Sequence, residues 1–197
     1  MGEIRSAIDI ALERTADIPG DNGLTDNREM KKSGKKAAGD FLANGDSSVL
    51  EKLFADKNQE KTPLVREGAV SILLASLRLP LTDADLSKVK LAGTGLDIVL
   101  PNSGMAQLFT QVEQIMKQYL TDRETLEKSL EQQFLPRLRA KQQELAKRYG
   151  QTVPLELSQE SEYVAALSKN RRILEQKYDS VIEEVRSRVR ETAGIED

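Results

Sequence analysis

From Met105 onward, stepping by alternate fours and threes, the chain meets Phe109, Val112, Met116, Tyr119, Arg123, Leu126 and Leu130. Only Arg123 is polar. This spacing averages 3.5 residues, which keeps one apolar seam facing a partner helix and drives supercoiling. The rhythm returns in Val164, Leu167, Arg171, Leu174, Tyr178, Val181 and Val185, again with one arginine interrupting it. Gly150 and Pro154 separate the two stripes, and a short link makes neighbouring helices antiparallel. Residues 103–192 therefore read as a long, coiled-coil-like helical hairpin turning near 150–156.

Pro136 lies inside the first stripe, where it removes a helical hydrogen bond and bends the helix. The apolar steps change there as well, with Leu130, Phe134 and Leu138 spaced four and four. Pattern and proline together predict a kink, or two helices in series. If the turn centres near residue 152 or 153, Arg123 faces Ile182 and Glu183, while Arg171 faces Phe134 and Glu131. Each seam arginine would then reach a carboxylate of the opposite helix, a device that fixes register at some cost in stability.

Residues 1–100 read as a small helical head. Ile4, Ala7, Ile8, Ala11, Leu12 and Thr15 share one helical face, with Arg5, Asp9, Glu13 and Asp17 opposite, and Pro19 and Gly20 end the pattern. A helix this short needs a surface to dock on. Gly20 to Asp26 reads as a turn-rich link, and Arg28 to Asn44 as a second helix. Ser47 opens a brief helix holding Val49, Leu50, Leu53 and Phe54. Leu64 to Leu81 is apolar on most sides, as expected of the centre of the head. Thr82 and Asp85 have the spacing of a capping box. Around Gly93-Thr94-Gly95 the pattern predicts either a small strand hairpin or a helix stop followed by an extended connector.

Chemistry is restricted by what the chain lacks. It contains neither cysteine nor histidine, which removes thiolate and imidazole metal sites, histidine triads and disulfides together. Ser33-Gly34-Lys35 is not a phosphate loop, because Glu29 stands where the first glycine belongs and no Ser or Thr follows the lysine. Asp21, Asn22, Gly23, Asp26 and Asn27 lack the closing glutamate of a calcium loop. No catalytic, cofactor-binding or metal site is expected. With no run of about 18 apolar residues and no basic leader before an apolar run, the expectation is a cytoplasmic protein without a membrane span.

A net charge of -3, spread over both halves, argues against a broad nucleic-acid face. The best local basic cluster is Arg137, Arg139, Lys141, Lys147 and Arg148 beside Tyr149, diluted by Glu144, Glu156, Glu160 and Glu162. Two helices bury only one seam between them, so Leu108, Ile115, Leu120 and Leu135 are candidates for contact with another surface.

The opening stretch Gly2 to Thr15, Gly-Glu-Ile-Arg-Ser-Ala-Ile-Asp-Ile-Ala-Leu-Glu-Arg-Thr, resembles the start of a group of uncharacterised bacterial proteins of unknown function. The resemblance implies a bacterial cytoplasmic origin and no activity. The expectation is thus an all-α, non-enzymatic interaction or assembly protein. It would present its hairpin to another protein or to a second copy of itself as a homo-oligomer. The alternative is a nucleic-acid-associated protein using the basic cluster.

Overall fold

A computed structural model describes residues 22–55, 62–152 and 154–195. The expected first helix, residues 3–17, lies outside them. Among the described residues six α-helices follow one another: α1 (Asn22–Asn44), α2 (Ser48–Ala55), α3 (Thr62–Ala75), α4 (Asp83–Val99), α5 (Met105–Tyr149) and α6 (Ser161–Ala193). A 3-10 turn, Leu157–Gln159, precedes α6. No strand occurs among the described residues.

Helix α1 starts six residues earlier than the sequence pattern suggested, so Asn22 to Asp26 are helical and not part of a link. It packs most closely on α3, and two glycines make that possible. A Cβ on Gly34 would stand 1.9 Å from the Val65 carbonyl oxygen, and one on Gly68 would stand 2.1 Å from that of Lys31. Backbone meets backbone at both points, a separation that no other residue permits. Ala37, Ala38 and Phe41 of α1 are consequently buried against Ala69, Val70 and Leu73 of α3. Lys31 crosses the same junction to Glu67 at 2.6 Å.

Helix α2 is opened by Asp46, whose carboxylate accepts the Ser48 amide at 3.0 Å, in place of the expected Ser47 cap. The Ser48 hydroxyl, followed by that amide bond, holds the Asp46 carboxyl below its usual range. The most apolar stretch is helical only to Ala75; Leu77, Leu79 and Pro80 continue it as irregular chain. The Asp85 carboxylate accepts the amides of Leu81 and Thr82 at 3.1 and 3.2 Å, satisfying otherwise orphaned donors at the start of α4.

Gly93-Thr94-Gly95 forms neither a hairpin nor a helix stop, because α4 runs straight through it to Val99. The glycines serve packing here. A Cβ on Gly93 would meet Phe109 at 2.4 Å, and one on Gly95 would meet Leu73 and Phe41 at 2.7 and 2.8 Å. Burial of neighbouring helices against this face outweighs the helix propensity that glycine lacks. The α4–α5 corner uses Asn102 and Gly104, both with positive φ.

Helices α5 and α6 form the hairpin, and their roots complete the core of the head. Met105, Phe109, Val112 and Met116 from α5 join Ile182, Val185 and Val189 from α6 in one apolar cluster with α1 to α4. Head and hairpin therefore share a core at the root, and beyond it the two helices continue as a stalk. At 45 residues, α5 is about 68 Å long at 1.5 Å per residue. It is a single helix through Pro136, not two in series. Pro136 is exposed, so water can serve the Gln132 carbonyl that the proline leaves without its helical donor.

Candidate interaction site: the hairpin stalk

Most of the stripe predicted for α5 is buried, Met105, Phe109, Val112, Met116, Tyr119 and Leu130, and Leu138 beyond them; Arg123 and Leu126 are only partly buried. On α6 the buried residues are Tyr163, Tyr178, Ile182, Val185 and Val189. Tyr163 and Ile182 take the places expected of Val164 and Val181. Val164 is 46% exposed as a result.

Opposed pairs define the register. Tyr119 meets Tyr178 edge to face with centroids 5.2 Å apart, and Phe134 meets Tyr163 likewise at 5.7 Å. Between them Arg171 reaches Glu127 at 2.7 Å. Arg171 was expected opposite Phe134 and Glu131; its partner lies one helical turn nearer the head. The link is the reason. Helix α5 runs on to Tyr149, where Gly150 closes it in the left-handed conformation. The segment before α6 then lies back along α5, with the Leu155 carbonyl accepting from Gln142 at 3.0 Å and Glu160 reaching Lys141 at 2.6 Å. Helix α6 thus begins well below the tip, and every pairing shifts.

The same shift separates Arg123 from Glu183. Arg123 donates to the Leu81 carbonyl at 2.9 Å, with its Nε 3.8 Å from Glu127, so it ties the stalk to the head. Glu183 pairs instead with Arg186 on its own helix. Arg186 also donates to the Leu77 carbonyl at 2.6 Å. Two stalk arginines therefore hold the irregular 76–82 segment, which leaves its own carbonyls without helical partners. Sequence periodicity contains no signal for these long-range bonds.

A second polar pair was not foreseen. The Tyr178 hydroxyl donates to Asp122 at 2.7 Å, and Gln118 donates to the same carboxylate at 2.6 Å. The Tyr178 bond, followed by that of Gln118, holds the Asp122 carboxyl below its usual range. Burial, reinforced by the bond to Asp122, pushes the Tyr178 hydroxyl up to about 12. Burial also raises Tyr163, with the Glu131 and Glu127 charges adding to it. These groups join the helices with polar contacts where the seam leaves the head.

Leu108, Ile115 and Leu120 are half-buried and pack against the core of their own chain. Leu135 stands further out on the stalk, half-buried. Beyond Tyr119 and Tyr178, Leu130, Leu138 and Tyr163 are the buried apolar residues of the stalk. Leu126, Phe134, Leu145, Leu167 and Leu174 are half-buried as well, and Ile173, like Val164, is exposed.

The basic cluster is partly neutralised. Arg137 pairs with Glu162 at 3.5 Å and Lys141 with Glu160 at 2.6 Å. Arg139, Lys147 and Arg148 are exposed and make no ion pair among the described residues, and Tyr149 is 62% exposed beside them. Among the described residues no group of acidic side chains is placed to hold a metal ion. No helix there is long and apolar enough to cross a membrane.

The architecture is that of an all-helical protein with a compact head and a long two-helix stalk. The chain belongs to a family of unknown function (DUF6657), whose model matches residues 51–191, from α2 to near the end of α6. No curated protein and no solved structure matches it. The match rests on the head and hairpin, not on the Gly2 to Thr15 stretch.

Proposed function

We propose that this is a non-enzymatic, cytoplasmic assembly protein of bacterial origin, which presents its hairpin stalk to a second copy of itself. The observation that carries this reading is the apolar surface that the stalk leaves open: Val164 and Ile173 on α6 are 46% and 56% exposed, and Leu126, Leu135, Leu145, Leu167 and Leu174 are only partly buried. Two helices cover one seam; pairing two hairpins in a four-helix arrangement covers the flanks as well. Burying a leucine fully contributes roughly 1.5–3 kcal/mol, so even part of this surface supplies a driving force for association. Sedimentation of the full chain over a range of concentrations tests the proposal. The expected result is a monomer–dimer equilibrium that Leu167→Glu shifts to monomer. A chain that stays monomeric throughout refutes self-assembly. Salt-dependent retention on nucleic acid that is lost with Arg148→Glu would favour the basic tip instead.

A further inference from the structure

Among the described residues, one face of the stalk stands open at mid-length. Phe134 and Tyr163 meet across the seam with ring centroids 5.7 Å apart. The next residue along each chain is rotated by about 100°, and because the helices are antiparallel both rotations lead to the same side. Leu135 and Val164 therefore stand side by side at one level, Leu135 half-buried and Val164 exposed. Glu131 and Arg139 lie four residues before and after Leu135 on the same row of α5, and both are exposed. Neither forms a salt bridge among the described residues, whereas their neighbours Lys128 and Arg137 do.

We propose that two copies join antiparallel through this face, about a twofold axis at Leu135, with Glu131 of each chain paired to Arg139 of the other. The proposal rests on self-assembly through the stalk and adds to it the face and the direction. A twofold axis makes a surface its own partner, so residues equally spaced on either side of it meet. Leu135 then covers Leu135, Val164 covers Val164, and the row Glu131, Leu135, Arg139 meets its own reverse. Rows of that spacing interdigitate when helices pack. The two outer charges are of opposite sign. Each lies only about 6 Å from the axis along the helix, so both pairs form whether the helices cross at about 20° or about 50°.

The charge along α5 selects the same direction. Residues 119–132 hold four acidic side chains against two basic ones, and residues 133–149 hold five basic against one acidic. The sign changes beside Leu135. An antiparallel pair lays the basic half of each α5 along the acidic half of the other. A parallel pair would instead gather the exposed Arg139, Lys147 and Arg148 of both copies at one end, where like charges oppose association.

The chain has no native cysteine, so a nitroxide on Tyr149→Cys marks the stalk tip of the otherwise intact protein. Tyr149 lies 14 residues beyond Leu135, which sets the two tips of an antiparallel pair about 42 Å apart along the stalk. Pulsed dipolar spectroscopy of the dimer should read a distance of that order. Charge reversal supplies a second readout by sedimentation. Glu131→Arg alone and Arg139→Glu alone should each weaken dimerisation about tenfold. Mixing the two variants should restore it, because every facing pair in the mixed dimer is again of opposite sign. Tips within about 20 Å of each other, single variants that dimerise normally, or a mixture that stays weak would overturn this arrangement and leave self-assembly standing. A chain that shows no intermolecular distance at any concentration overturns both.

Discussion

Replacing Gly68 by alanine tests whether the α1–α3 crossing depends on direct backbone contact. The new Cβ would stand 2.1 Å from the Lys31 carbonyl oxygen, with the carbonyl carbon and Lys31 Cα at 2.9 and 3.1 Å. All three atoms belong to the backbone, so no rotamer change relieves the clash and α1 must move away by about 1 Å. A gap of that size forfeits a quarter to a half of each dispersion contact across the interface. Overpacking of this kind costs up to about 3 kcal/mol, and alanine returns about 1 kcal/mol through its helix propensity. The net loss is about 2 kcal/mol, or roughly 4–8 °C in Tm for a chain of this size. Gly39→Ala is the control, because it lies in α1 with nothing within 4 Å of its Cβ and should gain about 0.5–1 kcal/mol. Urea unfolding followed by circular dichroism reads both. A neutral or stabilised Gly68→Ala protein would refute the close-contact argument.

The Asp122–Tyr178 bond predicts a stability that depends on pH at both ends. Asp122 is depressed when folded, so its contribution is present above the ordinary value of 3.8 and is lost as pH falls through the folded value. Tyr178 is raised, so its contribution is complete below 10 and is lost as pH rises from 10 to about 12; Tyr178→Phe should flatten both limbs and cost about 1 kcal/mol at neutral pH, and unchanged limbs would show the pair to be irrelevant. Arg171 is only partly served, its Nε being buried without a partner. Arg171→Leu combined with Glu127→Leu should raise stability by about 1 kcal/mol while loosening helix alignment, as read by melting and by spin-label distances between α5 and α6. Pro136→Ala should restore the hydrogen bond to Gln132 and strengthen the stalk by up to about 3 kcal/mol, visible as slower amide exchange over residues 132–140; faster exchange there would count against it.

The two long helices were legible because their seam repeats over several heptads, and burial enforces such a repeat strongly. The α5 stripe is buried at most of its positions from Met105 to Leu138, with Arg123 and Leu126 only partly so. The register was not legible, because it depends on how residues 154–160 return along α5, and loop path leaves no periodic trace. Gly93 and Gly95 misled for a different reason. Read locally, glycine marks a turn; here Phe109 and Leu73 lie against those positions, and only the tertiary arrangement shows that bare backbone was needed. Arg123 illustrates the remaining limit. Its position in the seam was plain, but its partner is the Leu81 carbonyl, in a segment whose departure from helix the apolar pattern concealed.

The central claim is that the stalk, and not the head, is the surface through which copies of this protein meet. Energy transfer between chains labelled at Gln133→Cys, donor on one sample and acceptor on another, tests it directly. On mixing, transfer should appear as subunits exchange, and Leu167→Glu should abolish it without altering helical content. A dimer that shows no transfer at this position, or transfer untouched by Leu167→Glu, would contradict the account.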